Sequence, residues 1–183
     1  MQLLPTFTTF LLILASSATA SPTPVVSAKR TCTTVYPTLQ VPVDSSAPDR
    51  VYGSSSEVTV WKNSSGNRNM LFKFDIPIGS SNCKLKFHAV ANPPIAISGT
   101  ITINAYSLTS TFVSSTSWNS KPARAGLAGT ADISVSNTAP TEQTVVTQMC
   151  NSGTINYELE APTMGSIGLT SDANNGFYMT YGC

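Results

Sequence analysis

The sequence predicts an all-β protein, an antiparallel β-sandwich of jelly-roll type with about ten strands. Short segments alternate apolar and polar residues, and clusters of Ser, Gly, Asn and Pro separate them. Beyond the N-terminal region, no window carries an apolar stripe at helical spacing. Only 10% of residues are charged, but 41% are hydrophobic, which is too many for a disordered chain. Ser and Thr fill about a quarter of the positions and suit the solvent faces of strands.

The strands are expected where the alternation recurs with a period of two. It is clearest in residues 70–76, 85–89, 101–106 and 177–181. Further strands are expected at 39–43, 56–61, 131–136, 143–149, 154–160 and 166–170. Turn-forming clusters such as Asn63-Ser64-Ser65-Gly66 and Asn174-Asn175-Gly176 lie between them.

The first 20 residues are expected to be a signal peptide. An apolar stretch begins at Met1 and ends in Ala18-Thr19-Ala20, with Ala20 as the last residue before the cut. The stretch is too short to span a bilayer and no stop-transfer segment follows it. We therefore expect a secreted, extracellular protein without membrane insertion.

Residues 21–30 resemble a fungal pro-peptide, because this short Pro-rich segment ends in the dibasic pair Lys29-Arg30. A chance pair of solvated basic residues is the alternative. Cleavage would leave residues 31–183 as a single β-sandwich domain. Ten basic residues balance nine acidic ones, and cleavage would remove two of the ten. A slightly acidic mature chain argues against nucleic acid as a partner.

Four cysteines, Cys32, Cys83, Cys150 and Cys183, remain after both cuts. In an oxidising compartment they indicate two disulfides, which three pairings could satisfy. We favour Cys32–Cys183, which would tie both chain ends together, with Cys83–Cys150 as the second bond. No CxxC or His-Cys cluster is present, so no zinc site is expected.

A series of short motifs resembles one fungal family. In chain order they are Tyr36-Pro37-Thr38, Leu71-Phe72-Lys73-Phe74-Asp75-Ile76-Pro77, Cys83-Lys84-Leu85-Lys86-Phe87, Ser117-Trp118-Asn119-Ser120-Lys121-Pro122 and Gly176-Phe177-Tyr178-Met179-Thr180-Tyr181. The set is similar to the But-two family, named for the C-terminal domain of a ubiquitin-like-3-binding protein. More loosely, residues 71–122 resemble secreted disaggregatase-related and carbohydrate-binding jelly-roll modules. The resemblance implies a β-sandwich of mostly unknown molecular function. A secreted chain would not meet a cytosolic or nuclear ubiquitin-like partner, so that partner is not carried over.

Physically, the same motifs are mainly architectural. Asp75 is placed to accept hydrogen bonds from turn amides, and Pro77 ends the ladder. Trp118 is expected to anchor a loop that ends at Pro122, with Asn119 satisfying local backbone groups. A calcium ion held by Asp75, Asn119 or Asp172 is the less favoured interpretation, because spaced carboxylates are lacking. We expect no cofactor and no metal.

No catalytic residue is assigned. His88 is the only histidine and lies on the outward face of its strand, without a G-x-S-x-G nucleophile motif. Glu158 and Glu160 share one strand face and could form an acid pair, but the favoured interpretation is two solvated glutamates.

The sequence contains more candidates for binding than for catalysis, since aromatic faces, amides and hydroxyls hold sugars in shallow sites. The candidates are Trp61, Tyr52, Tyr106 and Tyr178, with an interior ring as the alternative for Trp61. Asn63-Ser64-Ser65 is a sequon, which predicts N-glycosylation at Asn63.

The preferred hypothesis is a secreted, monomeric, non-catalytic module that binds glycans weakly at the cell wall or another extracellular surface. The first alternative is a polysaccharide-active enzyme that uses Glu158, Glu160, Asp75 or His88. The second is a structural or host-interacting surface protein that needs no small ligand.

Overall fold

The computed structural model describes residues 32–97, 100–150 and 153–183. The predicted signal peptide, pro-peptide and processing residues Ala20, Lys29 and Arg30 lie outside these ranges. The described residues contain strands and no helix, so no helix in them is long and apolar enough to cross a membrane.

Twelve strands form in the described ranges, slightly more than the sequence predicted. They are β1 (Thr33–Val35), β2 (Leu39–Asp44), β3 (Glu57–Asn63), β4 (Gly66–Asp75), β5 (Cys83–Ala89), β6 (Ala96–Ile97), β7 (Ile101–Leu108), β8 (Arg124–Ile133), β9 (Thr141–Gln148), β10 (Thr154–Glu160), β11 (Gly165–Thr170) and β12 (Asn175–Tyr181). The extra strands are the short β1 and β6, which are too brief to show a period. The largest difference is β8, expected at 131–136 but running from Arg124 to Ile133. Its Ala- and Gly-rich first half shows no alternation, and its pairing with β7 places it in the sheet.

The strands make two antiparallel sheets. The small sheet has the order β1-β12-β5-β9, and the large sheet has the order β6-β11-β3-β4-β10-β7-β8 with β2 also paired to β4. Because side chains alternate across each strand, every strand sends one set of residues between the sheets and another set outward. The predicted all-β class and antiparallel sandwich are confirmed.

The main core lies between the sheets and is built on aromatic rings. Phe72 of the large sheet lies 5.5 Å from Phe177 of the small sheet, centroid to centroid, and Phe177 lies 5.2 Å from Phe87. All three rings are buried. Burial of a Phe side chain contributes roughly 1.5–3 kcal/mol, so this contact is a major source of the attraction between the sheets.

A second apolar cluster, here called the outer cluster, lies on the outward face of the large sheet. It is formed by Val41, Val43, Leu71 and Phe112, with Leu39, Leu108 and Trp118 packed against it. Phe112 and Trp118 belong to the segment 109–123 that connects β7 to β8, here called the strap. The strap therefore covers part of a sheet face that would otherwise meet solvent.

Both disulfides have the favoured pairing. Cys32 joins Cys183 with a Cα–Cα distance of 4.6 Å, next to the pairing of β1 with β12. Cys83 joins Cys150 with a Cα–Cα distance of 5.5 Å, where β5 and β9 run side by side. The described residues contain no free cysteine.

Candidate functional site

Glu158 and Glu160 are not solvated, so the favoured sequence-based interpretation of two solvated glutamates is wrong. The Glu158 side chain is fully buried beneath the strap, and that of Glu160 is 13% exposed. Glu158 Oε2 lies 2.8 Å from Lys121 Nζ and 2.8 Å from Arg124 Nε. Glu158 Oε1 accepts a hydrogen bond of 2.6 Å from Asn69 Nδ2. The Nη2 of Arg124 also reaches Glu160 Oε2 at 2.6 Å.

The ion cluster of Glu158, Lys121, Arg124 and Glu160 keeps Glu158 ionised. Burial alone would raise the pKa of Glu158, but hydrogen bonds from Arg124, Lys121 and Asn69 outweigh it and lower the pKa below the ordinary value. The pKa of Arg124 is raised: burial opposes its charge, but the hydrogen bonds and charge interactions with Glu158 and Glu160 together outweigh that effect. A buried carboxylate held by two cations has no open space for a substrate, so the cluster is structural and not an acid pair in a cleft.

The outward face of the small sheet carries an open groove of about 420 Å³. It lies where β5 ends, where β9 and β12 begin, and beside the turn between β11 and β12. Its lining includes the side chains of Thr34, Tyr36, His88, Glu142, Asn174 and Tyr178. Alternation along β5 and β12 turns Phe87 and Phe177 inward, and so turns His88 and Tyr178 outward into this groove.

Aromatic rings form one wall of the groove. The rings of Tyr36 and Tyr178 are 6.4 Å apart between centroids and tilted by 42°. The His88 ring meets Tyr178 edge-on at 4.9 Å. Tyr36 is 46% exposed whereas Tyr178 is 7% exposed, so Tyr36 presents most of the accessible ring surface and Tyr178 supports it.

Hydrogen bonds fix the polar groups of the groove. Glu142 accepts hydrogen bonds from Lys86 Nζ at 2.6 Å and from the Tyr178 hydroxyl. The bond from Lys86, followed by that from Tyr178, lowers the pKa of Glu142. Burial and the bond to Glu142 raise the pKa of Tyr178. The Nε2 of His88 donates to the Ala173 carbonyl oxygen at 3.0 Å, since a carbonyl can only accept. The groove therefore presents a fixed carboxylate beside a ring platform.

The four predicted binding aromatics do not come together. Tyr178 alone lies in the groove. Tyr52 lies against the guanidinium groups of Arg50 and Arg68, at 4.8 and 4.6 Å from its ring centroid, and its hydroxyl reaches Asp44.

The other two candidates lie in the large sheet. Tyr106 is covered by the Arg124 guanidinium at 3.9 Å from its ring centroid. Trp61 is half-buried in β3, in register with Arg68 of β4 and Ser166 of β11. For Tyr106, strand parity predicted an outward-facing ring but could not show that Arg124 covers it.

Sequence reasoning missed Tyr36, Glu142 and Asn174 as groove residues. Tyr36 belongs to one of the family motifs, but it directly follows β1, which has only three residues. So short a strand shows no alternation from which the exposure of the Tyr36 ring could be predicted. Glu142 meets the groove because β9 pairs with β5 in the register that places it opposite His88. That register joins segments far apart in the chain, so no local signal marks Glu142.

The architectural residues are placed as follows. Asp75 ends β4 and accepts a bond of 3.1 Å from the Thr154 hydroxyl, while Pro77 follows in the next turn. Trp118 packs on the outer cluster with Lys121 Nζ at 4.9 Å from its ring centroid. Asn119 donates from its side chain to Asp49 at 2.8 Å and from its backbone to Pro48 at 3.0 Å. Pro122 closes the strap two residues before β8.

The less favoured calcium interpretation gains no geometric support. Asp172 caps its own turn by accepting bonds from the backbone amides of Asn174 and Asn175, at 2.7 and 2.8 Å. Asp75 and Asn119 bond elsewhere, as described above. Among the described residues, no three His, Cys, Asp or Glu side chains cluster closely enough to hold a metal.

Asn63 is exposed at the tip of the β3–β4 hairpin. Its Oδ1 accepts bonds from the Ser65 and Gly66 amides at 2.8 and 3.1 Å. Glycosylation at this position stays a prediction.

Comparison with known proteins gives distant structural likenesses and a family. Among curated proteins, none matches the chain significantly. The C-terminal CBM6 of LamC, a marine laminarinase from Zobellia galactanivorans, aligns with 78% of this chain and 98% of its own length. The identity is 12% and the TM-score 0.34, which is too low to support an argument about fold or ligand. The family model described as the ubiquitin 3 binding protein But2 C-terminal domain matches residues 35–175, most of the described chain, so this protein belongs to that family.

Proposed function

We propose that this protein is a non-catalytic extracellular module that binds glycans weakly through the groove of the small sheet. The observation that carries the proposal is the exposed Tyr36 ring, supported by Tyr178 and flanked by the fixed Glu142 carboxylate. This is a ring platform with a hydrogen-bond acceptor at its edge. With a volume of about 420 Å³, the groove is larger than two other open cavities of about 240 Å³ each.

The chemistry of these groups suits a sugar. The apolar face of a pyranose packs on an aromatic ring, while its hydroxyls need donors and acceptors placed around it. Glu142 supplies acceptor oxygens, and Asn174 and Thr34 supply further polar groups along the lining. One accessible platform in an open groove offers little buried area, so the affinity is expected to be low.

A binding role is preferred to glycoside hydrolysis. Hydrolysis of that kind ordinarily needs two carboxyl groups on opposite sides of the scissile bond. Among the described residues that line the groove, Glu142 carries the only carboxyl group. Glu158 and Glu160 are held in the ion cluster on the other sheet.

The extracellular location rests on two features. The N-terminal sequence has the pattern of a signal peptide followed by a dibasic site. Two disulfides in so small a domain are typical of an oxidising compartment. A fungal cell wall is the location that these features and the family favour.

The test is retention of the secreted protein on a panel of insoluble fungal and plant polysaccharides. Tyr36→Ala is expected to weaken binding about tenfold, because it removes the platform, worth about 1.4 kcal/mol. Tyr36→Phe keeps the ring and is expected to keep most of the binding. Met164→Ala is the control, since Met164 is 75% exposed and lies outside the groove.

Two results would contradict the proposal. One is failure of the protein to bind any polysaccharide of the panel, which would favour a structural or host-interacting role. The other is binding that Tyr36→Ala leaves unchanged, which would place the glycan elsewhere on the surface.

A further inference from the structure

A second feature of the molecule lies outside the proposed glycan site. One buried carboxyl group holds a lysine amine and an asparagine amide at the same time. Glu158 Oε2 is 2.8 Å from Lys121 Nζ, and Glu158 Oε1 is 2.6 Å from Asn69 Nδ2. Glu158 and Asn69 are fully buried, and the Lys121 side chain is 15% exposed. One buried carboxyl group thus contacts both a side chain that can act as a nucleophile and an amide that can act as an electrophile.

The Asn69 amide is only half satisfied. Its nitrogen donates to Glu158, but its Oδ1 is buried without a hydrogen-bond partner among the described residues. Buried polar atoms are nearly always paired, so such an oxygen calls for an explanation. If Glu158 took a proton from the Lys121 ammonium, it would become the O–H donor that this oxygen lacks.

The surroundings shield the Glu158 carboxyl group from solvent and keep it paired. The Trp118 ring covers Lys121 Nζ at 4.9 Å, and the outer cluster lies beside it. Arg124 contacts Glu158 with its Nε at 2.8 Å and its Nη2 at 3.0 Å. Because Arg124 contacts Glu158 independently of Lys121, the carboxylate would keep a cationic partner if Lys121 lost its charge.

We propose that Lys121 and Asn69 join in an intramolecular isopeptide bond, with Glu158 as the proton carrier. Glu158 takes one proton from the Lys121 ammonium, and the free amine attacks Cγ of Asn69. The new Cγ–Nζ bond forms and the Cγ–Nδ2 bond breaks. Glu158 passes its proton to the leaving nitrogen, and it then carries the second proton that the attacking nitrogen must lose to the same leaving nitrogen. One lysine ammonium and one asparagine amide become one secondary amide and one ammonium ion, so atoms and charge balance, and Glu158 ends as a carboxylate.

The bond would link β4 covalently to the end of the strap. It would add a third cross-link to the two disulfides, and reducing agents would not break it. The cross-link lies in the large sheet, away from the groove, so it does not depend on the proposed glycan binding.

The test is the intact mass of the purified secreted protein after its disulfides have been reduced and its N-terminus determined. The expected mass is lower than that of the sequence by one ammonia molecule. Peptide mapping is expected to find a branched peptide that joins Lys121 to Asn69. An intact mass equal to that of the sequence would overturn the proposal.

The matched control is Lys121→Arg, which keeps the positive charge beside Glu158 but cannot form this bond. It is expected to restore the full mass of the variant sequence. A succinimide at Asn175-Gly176 would also lose one ammonia molecule, but Lys121→Arg would leave that loss in place. A mass deficit retained in Lys121→Arg therefore also overturns the proposal.

Discussion

The outward faces of the two sheets carry similar groups and differ in what covers them. On the large sheet, Tyr106, Arg124 and Glu158 meet beneath the strap, and the carboxyl group is fully buried. On the small sheet, Tyr178 and Glu142 line an open groove, Lys86 pairs with Glu142, and 54% of the Glu142 side chain is exposed. A tyrosine, a cation and a carboxylate thus occur on both faces.

The difference shows that burial, and not residue type, separates a structural cluster from a binding surface. A buried ion pair replaces lost hydration with close contacts, so removing one partner leaves an uncompensated charge. An exposed pair keeps its water and contributes little to stability. The large sheet uses these groups to hold the strap, whereas the small sheet leaves its carboxylate exposed to solvent.

The sharpest test of this comparison is Glu158→Gln. Whether or not Lys121 is cross-linked, loss of the carboxylate leaves Arg124 without its buried partner, so we expect a cost of about 3–5 kcal/mol in the free energy of unfolding. Urea denaturation followed by tryptophan fluorescence measures it. A cost below about 1 kcal/mol would mean that the cluster is hydrated like a surface pair.

Removal of a strap anchor tests whether the strap stabilises the large sheet. Phe112 is buried against Val41, Val43 and Leu71, so Phe112→Ala is expected to cost about 3 kcal/mol through the cavity it leaves. Glycan binding should persist in the folded variant, because the groove is on the other sheet. Val113→Ala is the matched control, since the neighbouring Val113 is 59% exposed. Equal effects of the two substitutions would contradict anchoring by Phe112.

Acid provides a reversible test of the same cluster. The pKa of Glu158 in the folded state is lowered, so its contribution to stability is full above the pKa of an unfolded Glu, about 4.3. That contribution is lost as the pH falls through the folded-state value. The urea concentration at the midpoint of denaturation should therefore decrease as the pH is lowered from about 6 to about 3.

The control for the acid effect is Glu158→Gln, which should lose less stability over the same pH range. The remaining loss would come from other carboxylates with lowered pKa values, such as Asp44 and Glu142. An identical pH dependence in both proteins would exclude Glu158 as a source of the effect.

The smallest expected effect on stability is that of Glu142→Gln. Because Glu142 is largely exposed, its pair with Lys86 should contribute less than about 1 kcal/mol to folding. The substitution should nevertheless weaken glycan retention, since it replaces one acceptor oxygen beside Tyr178 with an amide donor and removes the negative charge. A Glu142→Gln variant that is strongly destabilised but still binds glycan would contradict the roles assigned to the outward faces of the two sheets.

Much of the fold could be predicted from local pattern. The alternation in residues 70–76, 85–89 and 177–181 corresponds to β4, β5 and β12, because a period of two follows directly from strand geometry. β8 was misplaced because its Ala- and Gly-rich first half has no such pattern and is held by pairing with β7.

The candidate site was only partly predictable. Tyr178 was identified because strand parity places it outward. Tyr36 and Glu142 were not, since their positions depend on the ends of β1 and β9 and on pairing between distant segments. Glu158 was misjudged for the related reason that parity places a side chain outward but cannot show that another segment covers it.

The sequence by itself determined the all-β class and most of the strands, because these depend on local periodicity. For the four cysteines it favoured one of three possible pairings, and the structure has that pairing. Only the tertiary structure decided which outward face is open. The strap covers Glu158 through contacts between β4, β10 and the β7–β8 connection, whereas the groove stays open where β5, β9 and β12 meet. Such contacts join residues far apart in the chain, and no local pattern encodes them.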